Sequence, residues 1–156
     1  MSVSLLLEMA ASSSPDRLAV VADERRITCQ TLSDLADAGA GVITRSGAKH
    51  LAYLGAGGLM LPLLIFSSSR AALPLTPLNY RLSAQGLQAL IDRLADPPVV
   101  VDHAYRDVIR AGTRTIDATE FVASALAGKP TAAEFADRTM PRSCCSPRVR
   151  RHSRRR

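Results

Sequence analysis

The chain is 156 residues long, 47% hydrophobic and 4% aromatic with no Trp, which is enough apolar material for one domain with its own core. Its net charge of +6 is unevenly placed: residues 1–137 carry twelve Lys and Arg against fourteen Asp and Glu, whereas residues 138–156 carry eight Arg and no acid. The densest apolar run, Leu59 to Phe66, is eight residues long and contains Pro62, which excludes a membrane helix there. The opening MSVSLLLEMAASSS has no basic residue before its apolar patch and holds Glu8 within it, so it does not read as a secretory signal; the expectation is a cytoplasmic protein.

In chain order, Val3 to Ser12 reads as a short amphipathic helix ended by Pro15-Asp16. Leu18 to Ala22 and Arg25 to Cys29 read as two strands joined by a turn at Asp23-Glu24, a hairpin. Thr31 is placed to cap the next helix, whose buried side takes Leu32, Leu35, Ala36, Val42 and Ile43 and which Gly47 closes. His50 to Leu54 is a strand, Gly55 to Gly58 a glycine-rich turn, and Leu59 to Ala72 a helix. From Ala72 to Leu94 an extended run with Pro74 and Pro77 leads through Asn79-Tyr80-Arg81 to Ser83, a helix cap, and then to Leu87, Leu90, Ile91 and Leu94 at helical spacing. Because proline lacks the backbone donor, that run fits an edge strand or a crossing segment. Asp96-Pro97-Pro98 is a turn, Val99 to Val101 a buried parallel strand, Tyr105 to Ala111 a short helix, Thr113 to Ile116 a strand, and Thr119 to Ala127 a helix closed by Gly128. Lys129-Pro130-Thr131 opens a polar linker. Strands alternating with helices make this α/β, an open layered sheet with flanking helices.

Two stretches resemble the adenylate-forming enzymes, the acyl-CoA synthetases and their relatives. Pro77, Leu78, Asn79, Tyr80, Arg81, Leu82 and Ser83, behind the small-residue turn Arg70-Ala71-Ala72, resemble that family's "PLNPRLS" segment. Pro15, Asp16, Ala19 and Val20, then Thr28, Cys29 and Leu32, resemble its opening strand and its "T-Y-x-x-L" motif, with Cys29 in place of the aromatic. The resemblance implies the partial N-terminal subdomain of an enzyme several times longer. Such enzymes activate a fatty or other carboxylic acid with ATP to an acyl-adenylate, release pyrophosphate, and pass the acyl group to coenzyme A, with ATP, Mg and CoA as cofactors. Their catalytic and nucleotide residues lie at and beyond a P-loop of the form T-S-G-T-T-x-x-P-K.

The residues themselves supply no catalytic constellation. A glycine turn before a helix can bind phosphate through free amides, yet no Lys or Ser/Thr follows Gly55–Gly58 at P-loop spacing, and a tight turn is the plainer use. Asp102 ends a valine run where α/β sheets place functional carboxylates, but fold position alone does not establish chemistry, and an ordinary strand-end acid is the plainer reading. His50 and His103 have no Cys or carboxylate at ligand spacing, and Ser67, Ser68 and Ser69 lack a nucleophile elbow and read as helix surface. Cys144-Cys145 does not match zinc spacing. The expectation is no catalytic, cofactor-binding or metal residue in this chain.

The P-loop is due soon after the linker, where the arginine tail stands instead. Read one base earlier, the tail's codons are compatible with it. Cys144 into Cys145 gives Leu, and the junctions that follow, up to Arg154 into Arg155, allow F-T-S-G-T-T-S-L-P-K, if Ser153 is a TCN codon and Arg155 an AGR codon. Arg138 to Pro141 allow Asp-Asp-Ala as a lead-in. The expectation is a frameshift near Asp137, with residues 1–137 an inactive partial subdomain and 138–156 a disordered out-of-frame tail. Two alternatives are a tail that binds nucleic acid or other polyanions without sequence preference, and an interaction module built on apolar surface that a missing subdomain would cover.

Overall fold

A computed structural model of the chain describes residues 3–22, 24–94 and 97–127. Its elements are α1 (Ser4–Ser13), β1 (Leu18–Ala22), β2 (Arg25–Thr28), α2 (Cys29–Arg45), β3 (Leu51–Leu54), α3 (Met60–Arg70), β4 (Leu75–Leu78), α4 (Ala84–Arg93), β5 (Val99–Val101), a 3-10 helix (His103–Val108), β6 (Thr115–Asp117) and α5 (Ala118–Ala127). β1 and β2 form the expected antiparallel hairpin, and the other four strands form a wholly parallel sheet in the order β4-β3-β5-β6. The sequence expectation of an α/β layered sheet is met. β4, which holds Pro77, is an edge strand, where the missing N–H breaks no ladder on the open side.

Alternation along the strands divides the core. Leu51, Tyr53 and Val100 point to one face with Leu63 and Leu64 of α3, Leu32, Leu35 and Ile43 of α2, and Phe121 of α5. Ala52, Leu54, Val99 and Val101 point to the other, where Leu87 and Ile91 of α4 cover them. The period of two in the strands and of 3.6 in the helices are thus satisfied together. Each fully buried leucine contributes roughly 2–3 kcal/mol of transfer free energy.

Several boundaries differ from the sequence expectation for identifiable reasons. α2 begins at Cys29 with Thr28 as its N-cap, not Thr31: Thr28 Oγ1 accepts from Thr31 N at 3.2 Å. Cys29 N and Gln30 N, the other orphan donors of that first turn, reach the Arg17 and Pro15 carbonyls at 2.8 and 3.1 Å, so the preceding loop starts the helix early. The expected helix over Tyr105–Ala111 is a 3-10 helix over His103–Val108, held by Tyr105 N on the Asp102 carbonyl at 2.9 Å. β6 is Thr115–Asp117 rather than Thr113–Ile116, and α5 starts at Ala118 because the Asp117 carboxylate accepts from Thr119 N at 2.8 Å and caps it. Val42, half-buried, packs against the core on the side of α2 that was expected to be buried. Gly47 closes α2 at φ +65°, as expected. α3 ends in the same left-handed conformation at Ala72, φ 53°, with Leu73 N on the Ser68 carbonyl at 2.8 Å and Ala72 N on that of Ser69 at 3.3 Å.

Ser67 and Ser68 are buried, 0% and 2% exposed, where the sequence reads as helix surface. They lie where α3 crosses α2, and Gly39 makes the approach possible: a Cβ there would land on Ser67 Oγ. Ser68 Oγ donates to the Leu64 carbonyl, while Ser67 Oγ has no hydrogen-bond partner among the described residues. Arg70 fastens the same pair of helices, donating to Ser33 Oγ at 2.8 Å and to Asp37 at 2.8 Å.

Candidate functional site

From β3 the chain runs through α3 to β4 on one side, then through α4 across the opposite face of the sheet to β5 on the other side of β3. The carboxyl ends of β3 and β5 are therefore a topological switch point, the position where open α/β sheets present a crevice. Three features of the sequence meet there. Tyr53, 2% exposed, brings its hydroxyl to 3.1 Å from Asp102 Oδ2 and 3.3 Å from Oδ1. Ala56 N donates to Asp102 Oδ2 at 3.1 Å, and Gly57 N donates to the Tyr53 hydroxyl at 3.3 Å. The Gly57 carbonyl lies 3.2 Å from the same hydroxyl as a second acceptor.

Burial, with the Asp102 carboxylate beside it, pushes the Tyr53 phenol well above its ordinary value, so the hydroxyl keeps its proton and serves as a donor. Gly57 and Gly58 take positive φ, 102° and 60°, which turns the chain sharply into α3. Gly55 is glycine for another reason: a Cβ there would collide with the Asp102 carboxylate and the Tyr53 hydroxyl.

The remaining candidates are dispersed. His50 lies at the opposite, amino end of β3, its ring nitrogen 2.7 Å from Thr76 Oγ1. His103 opens the 3-10 helix and is exposed. At the end of β4, Asn79 Oδ1 accepts from Arg81 N at 3.0 Å, and Tyr80 packs against Tyr105 with centroids 5.3 Å apart and the rings tilted at 42°. Hydrogen bonds from the α5 backbone, chiefly from Thr119, hold Asp117 below the ordinary carboxylate value. Cys29 is buried, whereas Cys144, Cys145 and the whole arginine tail lie outside the described residues.

A nucleotide triphosphate does not fit the described residues at the switch point. The Ala56 amide is taken by the Asp102 carboxylate and the Gly57 amide by the Tyr53 hydroxyl, so the crevice presents a carboxylate where a phosphate would need a donor. Among the described residues no cluster of three or more His, Cys, Asp or Glu could hold a metal ion. No helix of the described residues is long and apolar enough to cross a membrane.

This architecture is that of the N-terminal part of adenylate-forming enzymes. A Rhodopseudomonas palustris structure assigned as a long-chain-fatty-acid CoA ligase superposes with a TM-score of 0.66 at 26% identity, over 69% of this chain and 28% of that one. The Mycobacterium tuberculosis fatty acyl CoA synthetase matches with a TM-score of 0.70 at 22% identity, over 80% of this chain and 28% of that one. The N-terminal subdomain of Klebsiella oxytoca NpsA matches with a TM-score of 0.68 at 15% identity, over 78% of this chain and 32% of that one. The chain thus spans less than a third of the length of each of these structures. No family model and no curated protein matches the sequence. The resemblance of Pro77–Ser83 and Pro15–Leu32 to adenylate-forming enzymes and the likeness of fold agree, and the likeness covers the N-terminal part of those structures.

The sequence did not announce the meeting of Tyr53, Gly55 and Asp102. Tyr53 and Asp102 are 49 residues apart, and only the parallel pairing of β3 with β5 brings them together. A usable signal was present in the glycine that directly follows a strand whose last aromatic precedes it by two positions.

Proposed function

We propose that the chain is the N-terminal portion of an ATP-dependent fatty-acid-CoA ligase and that by itself it forms neither acyl-adenylate nor thioester. The observation that carries this reading is the match of fold to two fatty acyl-CoA-forming enzymes over 69% and 80% of the chain, one of them at 26% identity. Residues 1–137 are the partial subdomain and residues 138–156 a tail read out of frame. ATP, Mg and CoA belong to the full-length enzyme, whose substrate is a fatty acid or another carboxylic acid, and the protein is cytoplasmic. Support for inactivity comes from the switch-point turn, where Asp102 takes the Ala56 amide and the Tyr53 hydroxyl takes that of Gly57, and from the shifted-frame codons compatible with L-F-T-S-G-T-T-S-L-P-K. In that motif small residues would let backbone amides cradle the ATP phosphates, and the lysine would add positive charge.

The test is to incubate the purified chain with ATP, Mg, medium- to long-chain fatty acids and CoA. No adenylate or thioester is expected; turnover by the chain alone would refute its inactivity. A chain made from the gene with one base restored near the Asp137 codon, and carried on through the open shifted frame, is expected to turn over.

Eight Arg within residues 138–156 favour a second reading, in which the tail binds polyanions through phosphate contacts. Duplex DNA binding that falls steeply with salt, and that vanishes when residues 138–156 are removed, would support it.

A further inference from the structure

We propose that the turn Gly55–Gly58 is liganded from within: the Asp102 carboxylate occupies the switch-point position that doubly wound sheets offer to an anionic ligand, so this turn holds no nucleotide phosphate. Asp102 is then a positioning residue that fixes the β3–α3 junction. This inference is independent of which acid or cofactor the full-length enzyme uses.

The geometry is that of an occupied cradle. A phosphate at a strand–glycine turn–helix junction is held by turn amides that point into the crevice. Here Ala56 N points at Asp102 Oδ2 at 3.1 Å, and Gly57 N points at the Tyr53 hydroxyl at 3.3 Å, which in turn lies 3.1 Å from the same Oδ2. An incoming phosphate would meet a carboxylate where it needs a donor.

Gly55 supplies an independent observation. Its φ is not in the left-handed region, so no backbone conformation demands glycine at that position. Space does, because a Cβ would displace both the carboxylate and the hydroxyl. The backbone at Asp102 is fixed separately by its N–H on the Leu54 carbonyl at 3.0 Å, so loss of the carboxylate leaves the β3–β5 ladder intact.

The test is residue-resolved amide hydrogen exchange on the full 156-residue chain, with inorganic phosphate titrated into the parent as the probe. Asp102→Ala is expected to speed exchange at Ala56, and Tyr53→Phe at Gly57, by about tenfold, with the amides of β3 and β5 unchanged. Asp102→Asn, which keeps one acceptor oxygen, is expected to preserve part of the Ala56 protection. Phosphate is expected to shift neither turn amide of the parent. Unchanged Ala56 exchange in Asp102→Ala, or a saturable phosphate shift at Ala56 and Gly57 of the parent, would overturn the proposal. Should Asp102→Ala not fold, Tyr53→Phe decides, because it retains the buried ring: Gly57 exchange equal to the parent's overturns the internal-ligand reading.

Discussion

The two faces of the sheet are unequally covered. On one, α2, α3 and α5 bury Tyr53, Leu63, Leu64 and Phe121 almost completely, and Arg70 and the Gly39–Ser67 approach bind the helices to each other. On the other, among the described residues, only α4 and the 3-10 helix lie over Ala52, Leu54, Val99 and Val101, and Leu90, Leu94, Tyr105 and Ile109 are partly exposed. The interlocked face cannot relax around a lost side chain, whereas the thin one can close over it. Cavity cost depends on that collapse more than on the chemistry removed.

The largest expected effect follows directly. Phe121→Ala should lower stability by about 4 kcal/mol and Leu87→Ala by about 2 kcal/mol in denaturant unfolding. Equal costs would show that the two faces are packed alike. Gly39→Ala sharpens the same comparison by overpacking rather than emptying: the added methyl meets Ser67, and a loss of about 2 kcal/mol is expected, against a small gain in helix propensity. A neutral result would mean that α2 and α3 can slide apart.

Smaller effects concern the ends of helices on the well-covered face. Ala72→Gly should raise stability by about 0.5–1 kcal/mol, because glycine removes the left-handed strain that Ala72 carries at φ 53°. Thermal unfolding checks the sign. Asp117 is held ionised in the fold by the amides it caps, so its contribution is complete above its unfolded value and is lost as pH falls through the lower folded value. Asp117→Asn should therefore flatten the acid limb of stability below about pH 4 and leave its shape near neutrality unchanged. An identical acid limb in the variant would contradict the cap.

Much of the fold was legible in the sequence because its signals are local. Pro74 and Pro77 marked the run into β4 as an edge strand or a crossing segment, Ser83 and Leu87–Ile91 marked α4, and Val99–Val101 marked a buried parallel strand. What escaped depends on neighbours distant in sequence. Thr28 displaced Thr31 as a cap because the carbonyls of Pro15 and Arg17 satisfy the first turn of α2. Ser67 and Ser68 read as surface because nothing local says that Gly39 lies opposite. The switch-point cluster was legible only in parts: the glycine turn and Asp102 each stood out alone, and the contact that joins them requires the strand order.

The most direct measurement for the chain's origin is the nucleotide sequence following the Asp137 codon. The expected result is an open frame, one base earlier than the translated one, that spells L-F-T-S-G-T-T-S-L-P-K and continues into the remainder of a CoA ligase. A shifted frame soon closed by stop codons, or one that spells no such motif, would contradict it.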